Sequence, residues 1–425
     1  MRLTESIIKR CSTSALFVAC LVVLAQGADA QAQDADDRRT VAERFASIYR
    51  AEGVPVGAMR LYPKLGLGLA WSDNVFANNT LEFSDWASRL LTEARLESIS
   101  SHYSAEIGGR AEIARSDEFS SNDFENYRFW FSGDKDFRSS NLALDADVAD
   151  LAEPRTSVDA AGNAVELTRY RRNDLEGAYT YSPGRWVARL DGTYRNFDYE
   201  DTETLTGTVD NGDRNRKILD FGIRFGYEMS ELYGFFLEPR FTKVDYEQRV
   251  DNEGFERSSD GYEIRLGTSL NYSGVVTGEL FVGYLNRAFD DNAFGKVQGP
   301  AFGGEINWEV TRLTTVSLGA SRTTDATTLA GASTTIDTRF ILGVDHEIRR
   351  NLILQLDLEK ANEEFEGILR EDDILRLGLK AEYRVSPRLW LQAGYRYRER
   401  RPTPSGTRGR DFDINEVMLD VTFQL

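Results

Sequence analysis

Residues 375–383 read Leu375-Arg376-Leu377-Gly378-Leu379-Lys380-Ala381-Glu382-Tyr383. Apolar and polar residues take strict turns, and successive side chains of a β-strand point to opposite faces. The stretch therefore has one apolar face and one charged face. The same beat returns from about residue 60 to the last residue, as in Leu219, Phe221, Ile223, Phe225 and Tyr227, or Leu389, Leu391, Ala393, Tyr395 and Tyr397. In a soluble barrel the apolar face would point inward, but here the opposite face carries too much charge and the strands are too many and too long. Strands of roughly ten residues separated by turn residues are the pattern of a transmembrane β-barrel, apolar toward lipid and polar toward the lumen.

The two ends of the chain agree with that reading. Arg2, Lys9 and Arg10 precede an apolar run from Ala15 to Ala25, and Ala28-Asp29-Ala30 has the small-x-small cleavage pattern. This reads as a secretory signal peptide over residues 1–30, cleaved after Ala30 and too short to span a membrane. Cys20 invites a lipoprotein reading, but the apolar run continues through Leu24 where a lipoprotein would turn polar. Both cysteines, Cys11 and Cys20, fall in this segment, so the mature chain is expected to have neither thiol nor disulfide. An exported chain without disulfides needs another source of stability, and a closed, hydrogen-bonded barrel in a bilayer supplies one.

At 425 residues a soluble chain would divide into two or three domains. No Pro/Ser/Gly-rich seam interrupts the beat, so one barrel over residues 59–425 is expected, after a polar segment at 31–58 with a short helix near Val41 to Ala51 that is either a periplasmic tail or a plug. The mean hydropathy of −0.43 resembles a soluble protein, as it must when half of every strand is polar. A formal charge of −18 argues against nucleic acid as a partner and reads as a solvated acidic surface.

Turn lengths orient the barrel. Short turns at 182–184, 229–231, 273–274, 311–313 and 385–387 alternate with long polar connections at 198–213, 247–260, 288–299, 323–334 and 401–411. Outer-membrane barrels have short periplasmic turns and longer external loops. Strands running into the short turns end in outward aromatics, Tyr181, Tyr227, Tyr272, Trp308 and Tyr383. Amphipathic rings at one depth form a girdle between hydrocarbon and water, and the barrel as a whole is expected to contact outer-membrane lipid and lipopolysaccharide. The count is about 18 strands, with 16 as the nearest alternative, in an all-β, antiparallel up-and-down barrel. The final strand carries Val417, Leu419, Val421, Phe423 and Leu425 on one face, and its Phe423-Gln424-Leu425 ending looks like the signal read by the barrel assembly machinery.

Three blocks resemble a known family. They are Pro55-Val56-Gly57 through Leu61-Tyr62-Pro63 to Trp71-Ser72-Asp73-Asn74-Val75-Phe76, then Asp245-Tyr246 through Arg257-Ser258-Ser259 to Gly283-Tyr284, and Val385-Ser386-Pro387 through Tyr395-Arg396-Tyr397-Arg398-Glu399-Arg400. Together they are similar to the beta-barrel porin type 2 family, outer-membrane barrels often associated with exopolysaccharide secretion. The resemblance implies passage of a carbohydrate polymer, handed over by periplasmic polysaccharide export proteins. The blocks are mostly strand, turn and girdle residues, strong for membership and weak for substrate.

With apolar faces toward lipid, the lumen wall follows by elimination. It includes Glu106, Arg110, Arg189, Arg224, Arg265, Glu305, Arg339, Arg376, Glu382, Arg396 and Arg398, with Trp130 and Trp390 also inward. Mixed signs fit a ladder of cross-strand ion pairs and equally a polar conduit whose charges select solutes. The two indoles could stack on sugar rings or pack against a plug or loop. Inward Gly222, Gly226, Gly267, Gly378 and Gly394 are expected either to relieve crowding or to permit bending of the wall. His102 and Ser104, two apart on one expected strand, would resemble the histidine–serine pair of a lipid hydrolase, but they point into the lumen and lack a third, orienting group. With two histidines in the chain and no mature cysteine, no metal or redox cofactor is expected. Asp210-Asn211-Gly212-Asp213 and Asp251-Asn252-Glu253-Gly254 lack the ligand spacing of a calcium loop and read as solvated loop tips. The expectation is a passive, non-enzymatic conduit, and the resemblance implies export of an exopolysaccharide. A general diffusion or sugar-uptake porin, or a structural or adhesive barrel with a closed lumen, are the alternatives.

Overall fold

The computed structural model describes residues 40–100, 102–404 and 411–425. The expected signal peptide, its cleavage site and both cysteines lie outside the described residues. Among those described, the alternating stretches form eighteen long strands. The first six are β1 (Met59–Ser72), β2 (Asp85–Ser98), β3 (Ser104–Ser116), β4 (Phe124–Asp136), β5 (Ser140–Ala152) and β6 (Arg169–Tyr181). Next come β7 (Trp186–Tyr199), β8 (Arg216–Glu228), β9 (Tyr233–Tyr246), β10 (Ser259–Tyr272), β11 (Val276–Phe289) and β12 (Val297–Thr311). The last are β13 (Thr314–Asp325), β14 (Thr334–Arg349), β15 (Leu352–Glu366), β16 (Glu371–Ser386), β17 (Leu389–Thr403) and β18 (Phe412–Gln424).

Every strand pairs antiparallel with its sequence neighbours, and β18 returns to β1, with Lys64 opposite Gln424 and Ser72 opposite Glu416. Closure leaves no open edge among the described strands, so backbone amides pair strand to strand within the wall, as hydrocarbon requires. A one-residue slip would exchange the two faces of a strand. The register adopted puts apolar side chains outside: Phe129 and Val282 are each 65% exposed, whereas Glu238 is 1% and Asp372 0% exposed. A water-soluble barrel would show the reverse. A continuous apolar outer band of this extent is a lipid-facing surface.

The turns alternate as expected. Connections at 182–185, 229–232, 273–275, 312–313, 350–351 and 387–388 are tight, whereas 153–168, 200–215 and 247–258 are long. The tight turns mark the periplasmic end. Buried apolar clusters among the described residues are small and lie near the two mouths, such as Leu285, Val297, Ala301 and Ile336 at the outer end, or Val41, Phe45 and Ile353 at the periplasmic end. The wall is held by its ladder of hydrogen bonds more than by a central core.

Candidate transport path

The inward faces carry several clusters of paired charge. Arg224 pairs with Glu238 on the next strand and reaches Glu279 at 2.7 Å, on β11 three strands away. Glu238 also receives Arg240 at 3.0 Å and Arg265 at 3.4 Å. Arg240 continues to Asp191 at 2.9 Å and Asp220 at 3.0 Å, and Arg189 lies 3.6 Å from Asp191. Farther round, Arg339 contacts Asp337 and Glu359, and Arg376 shares Glu359. Arg396 and Arg398 share Glu416 at 3.3 and 2.8 Å, and Arg110 meets Glu112 at 3.3 Å. Glu382 takes Arg384 at 2.5 Å and Gln392 at 2.7 Å. Glu305 is exposed and accepts from Asn307 at 3.2 Å. Each partner limits the cost of burying the other's charge, and the cross-strand pairs tie neighbouring strands together.

The two inward indoles lie against the wall. Trp130 donates from Nε1 to Glu106 Oε1 at 2.7 Å and sits over Gly108, its register partner, where a Cβ would come within 2.0 Å of the ring. Only glycine permits that approach. Trp390 is at the periplasmic end, with the Arg384 guanidinium 3.3 Å from its ring centroid and Lys64 Nζ at 5.1 Å.

Trp390 neighbours a feature of the periplasmic mouth. Helix α1 (Val41–Ile48) opens with a capping box in which Thr40 and Glu43 exchange side-chain and backbone bonds. Its Val41 and Phe45 are buried against Ile353, an inward residue at the start of β15. Val41 N–H donates to Thr315 Oγ1 at 2.9 Å, and Arg44 reaches Glu309 at 3.2 Å and the Arg312 carbonyl at 2.6 Å. The Arg384 guanidinium stacks 5.8 Å from the Phe45 ring. The helix is thus seated among inward residues of the mouth.

At the outer mouth the long loops bind one another. Arg257, almost fully buried, donates to Asp251 at 2.5 Å and to the carbonyls of Thr327, Leu329 and Ala332 at 2.9, 3.2 and 2.5 Å. The 153–168 loop sends Asp159 to Thr327 at 3.1 Å and its Thr156 carbonyl to Arg400 at 3.3 Å. Loop 153–168 leaves β5 yet touches β17 and the β13–β14 connection, so it leans across the opening. Glu153 pairs with buried Arg214 at 2.6 Å. Burial works against the Arg214 charge, but the Glu153 carboxylate outweighs it and holds the guanidinium above its ordinary range.

The solvated-tip reading of the two acidic motifs is corrected here: Asn211, Asp213 and Asp251 are buried. Asn211 donates to the Glu200 carbonyl at 2.9 Å and Thr202 Oγ1 at 2.8 Å, and Asp251 accepts the amides of Glu253 and Phe255. Their side chains replace backbone partners inside the packed loops. Burial pushes the Asp213 carboxyl up. His102 and Ser104 are also corrected. Strand β3 begins at Ser104, leaving His102 in the preceding turn, so the two do not share a strand face.

Tyr181, Tyr272, Trp308 and Tyr383 are exposed at the strand ends nearest the short turns, and Tyr227 packs at 4.8 Å on Trp186, a further outward ring at that depth. Phe423 and Leu425 are exposed, and Leu425 N–H donates to the Pro63 carbonyl at 3.2 Å across the seam. Inward residues that the sequence reading passed over include Arg216, Arg240, Arg287 and Arg384. Arg240 and Arg384 keep the two-residue phase of their strands, which is the signal that would have found them.

A sequence profile described as Putative beta-barrel porin 2 matches residues 46–425. No curated relative matches the chain. Among solved structures, OpdO of Pseudomonas aeruginosa is 12% identical with a TM-score of 0.45, covering 87% of this chain and 98% of that one. OccAB3 of Acinetobacter baumannii is 12% identical at a TM-score of 0.45, covering 87% and 100%. OccK2 (OpdF) of Pseudomonas aeruginosa, solved in complex with glucuronate, is 11% identical at 0.45, covering 88% and 99%.

Proposed function

The chain belongs to the Putative beta-barrel porin 2 family and is a porin-like outer-membrane β-barrel, and we propose that it conducts an exopolysaccharide outward across the outer membrane of a Gram-negative bacterium. The observation that carries this reading is the series of inward charge-pair clusters spaced along the wall, from Glu382 and Arg384 near the periplasmic mouth to Arg400 under the outer loops. A polymer of hydroxyl-rich units needs many weak, exchangeable polar contacts, and a wall lined with carboxylates and guanidiniums offers them at successive depths. Passage makes and breaks no covalent bond. The polymer would be delivered by periplasmic export proteins, and the barrel inserted by the outer-membrane assembly machinery through its Phe423–Leu425 end. Glu106, Arg189, Arg224, Arg265, Arg339, Arg376, Arg396 and Arg398 would line the path.

The seated helix favours one further reading, a barrel closed at rest. Planar-bilayer recording separates the cases, since a conduit passes current and a permanently closed barrel does not. Deleting the gene and weighing secreted polymer tests the export claim directly. Unchanged polymer in the medium, with current still observed, would leave a diffusion or uptake porin as the function.

A further inference from the structure

Most arginines of the inner wall have a carboxylate within ion-pair distance, and two near the outer mouth depart from this. Arg216 on β8 lies opposite Phe197 on one side and Tyr246 on the other. Its guanidinium is 4.6 Å from the Phe197 ring centroid, 5.9 Å from Tyr199 and 6.0 Å from Tyr246. One nitrogen donates to the Arg214 carbonyl at 2.9 Å, while Nε is buried with no acceptor. Arg287 on β11 is only 9% exposed, and among the described residues its side chain makes no hydrogen bond or ion pair. The carboxylates that face this pair, Asp159, Asp220 and Asp325, act on it only through space. Tyr246 feels both guanidiniums, and the residue opposite Arg287 on β10 is Gly261, which adds no side chain beside it.

Burying an arginine without an acceptor is costly, so such a group is normally paired. A guanidinium over an aromatic ring, as Arg216 is over Phe197, turns a face to the ring and leaves N–H groups at its edges. Those edges match the two oxygens of a carboxylate, and the neighbouring rings suit the C–H face of a pyranose. We infer that Arg216 and Arg287, with Tyr199 and Tyr246, bind the carboxylate-bearing unit of an acidic saccharide at the outer end of the lumen. The inference rests on the lumen being a saccharide path. It adds that the polymer is a uronate-type polyanion. The overall charge of −18 does not oppose this, because a cationic patch in a low-dielectric cleft focuses its own field.

Titration calorimetry of the full protein in detergent micelles at low salt tests the site, with trigalacturonate, maltotriose and inorganic phosphate as probes. Trigalacturonate binds at least about tenfold more tightly than maltotriose, a difference of about 1.4 kcal/mol, and added salt shrinks the gap. Arg216→Gln and Arg287→Gln each weaken trigalacturonate about tenfold and leave maltotriose unchanged, while Arg287→Lys weakens it less. Heat-dependent gel migration confirms that each variant is folded, and the preference of the unaltered protein decides the matter if a variant is not. Equal binding of the acidic and neutral trimers would overturn the inference, as would phosphate binding as tightly as trigalacturonate, or glutamine variants that bind it unchanged. Loss of a neutral secreted polymer on gene deletion would keep the conduit and remove the acidic site.

Discussion

Truncating Phe45 to alanine asks whether helix α1 governs the path. Eight residues are too few for a helix to persist alone in water, where about 12–15 are needed, so α1 exists because it is docked. Phe45 is 2% exposed and packs with Val41 on Ile353. Removing a buried phenyl costs about 3–5 kcal/mol, and the lower figure suits a mouth that water can refill. The Val41–Thr315 and Arg44–Arg312 hydrogen bonds and the Arg44–Glu309 pair remain, each contributing roughly 1 kcal/mol. A loss of about 3 kcal/mol raises the undocked population by roughly a hundredfold. In planar bilayers Phe45→Ala therefore shows a higher open fraction and larger mean conductance than the parent. Phe45→Leu, which keeps most of the volume, stays near the parent. Identical conductance and open times for Phe45→Ala and the unaltered protein would refute the claim that the docked helix limits the path.

Other consequences follow from the wall and the loops. Val282→Arg places a guanidinium on the lipid-facing surface, at a cost of about 2–4 kcal/mol near the bilayer midplane, and lowers the yield of heat-resistant folded barrel. Glu305→Arg, inward and exposed, folds with normal yield, and a reversed order would invert the inside–outside assignment. Glu238→Gln removes the carboxylate shared by Arg224, Arg240 and Arg265. Each arginine keeps another acceptor, namely Glu279, Asp220 and Glu263, so the fold survives and the reversal potential in a salt gradient moves toward anion selectivity. Asp291, in the external 290–296 connection, accepts the amides of Ala293 at 2.8 Å and Glu256 at 3.0 Å, which hold its carboxyl below the usual range. A depressed carboxylate stabilises the loops above its unfolded value and loses that contribution as pH falls through the folded one. Amide exchange at Glu256 and Ala293 accordingly speeds up below the ordinary aspartate range, relative to the intrinsic rate, and Asp291→Asn abolishes the pH dependence.

The mid-strand regions were legible because one rule governs them: lipid on one side and water on the other force a two-residue alternation, as in Leu375–Tyr383. The rule weakens at the outer rim, where both sides are wet or packed under loops. There Phe197, Ile218 and Val244 point inward although apolar, and Lys217 and Lys243 point outward although charged. Arg216 and Arg287 fall in that zone and were passed over. Long loops were misread for a related reason. Asp213 and Asp251 look like surface residues until partners from other loops arrive, such as the Asn252 amide for Asp213.

By itself the sequence determined the barrel, which face meets lipid and which mouth is periplasmic, because these depend on periodicities and turn lengths that are local along the chain; it left the count between 16 and 18 strands, and the closed register gives eighteen. Tertiary structure alone decided that helix α1 sits against Ile353 and Thr315, that loop 153–168 leans toward Arg400, and which arginines find carboxylates. The helix and loop contacts join residues hundreds of positions apart, and ion pairs such as Arg224–Glu279 join residues of different strands. Only closure of the wall brings them within a few ångströms, where short-range packing and hydrogen bonding act.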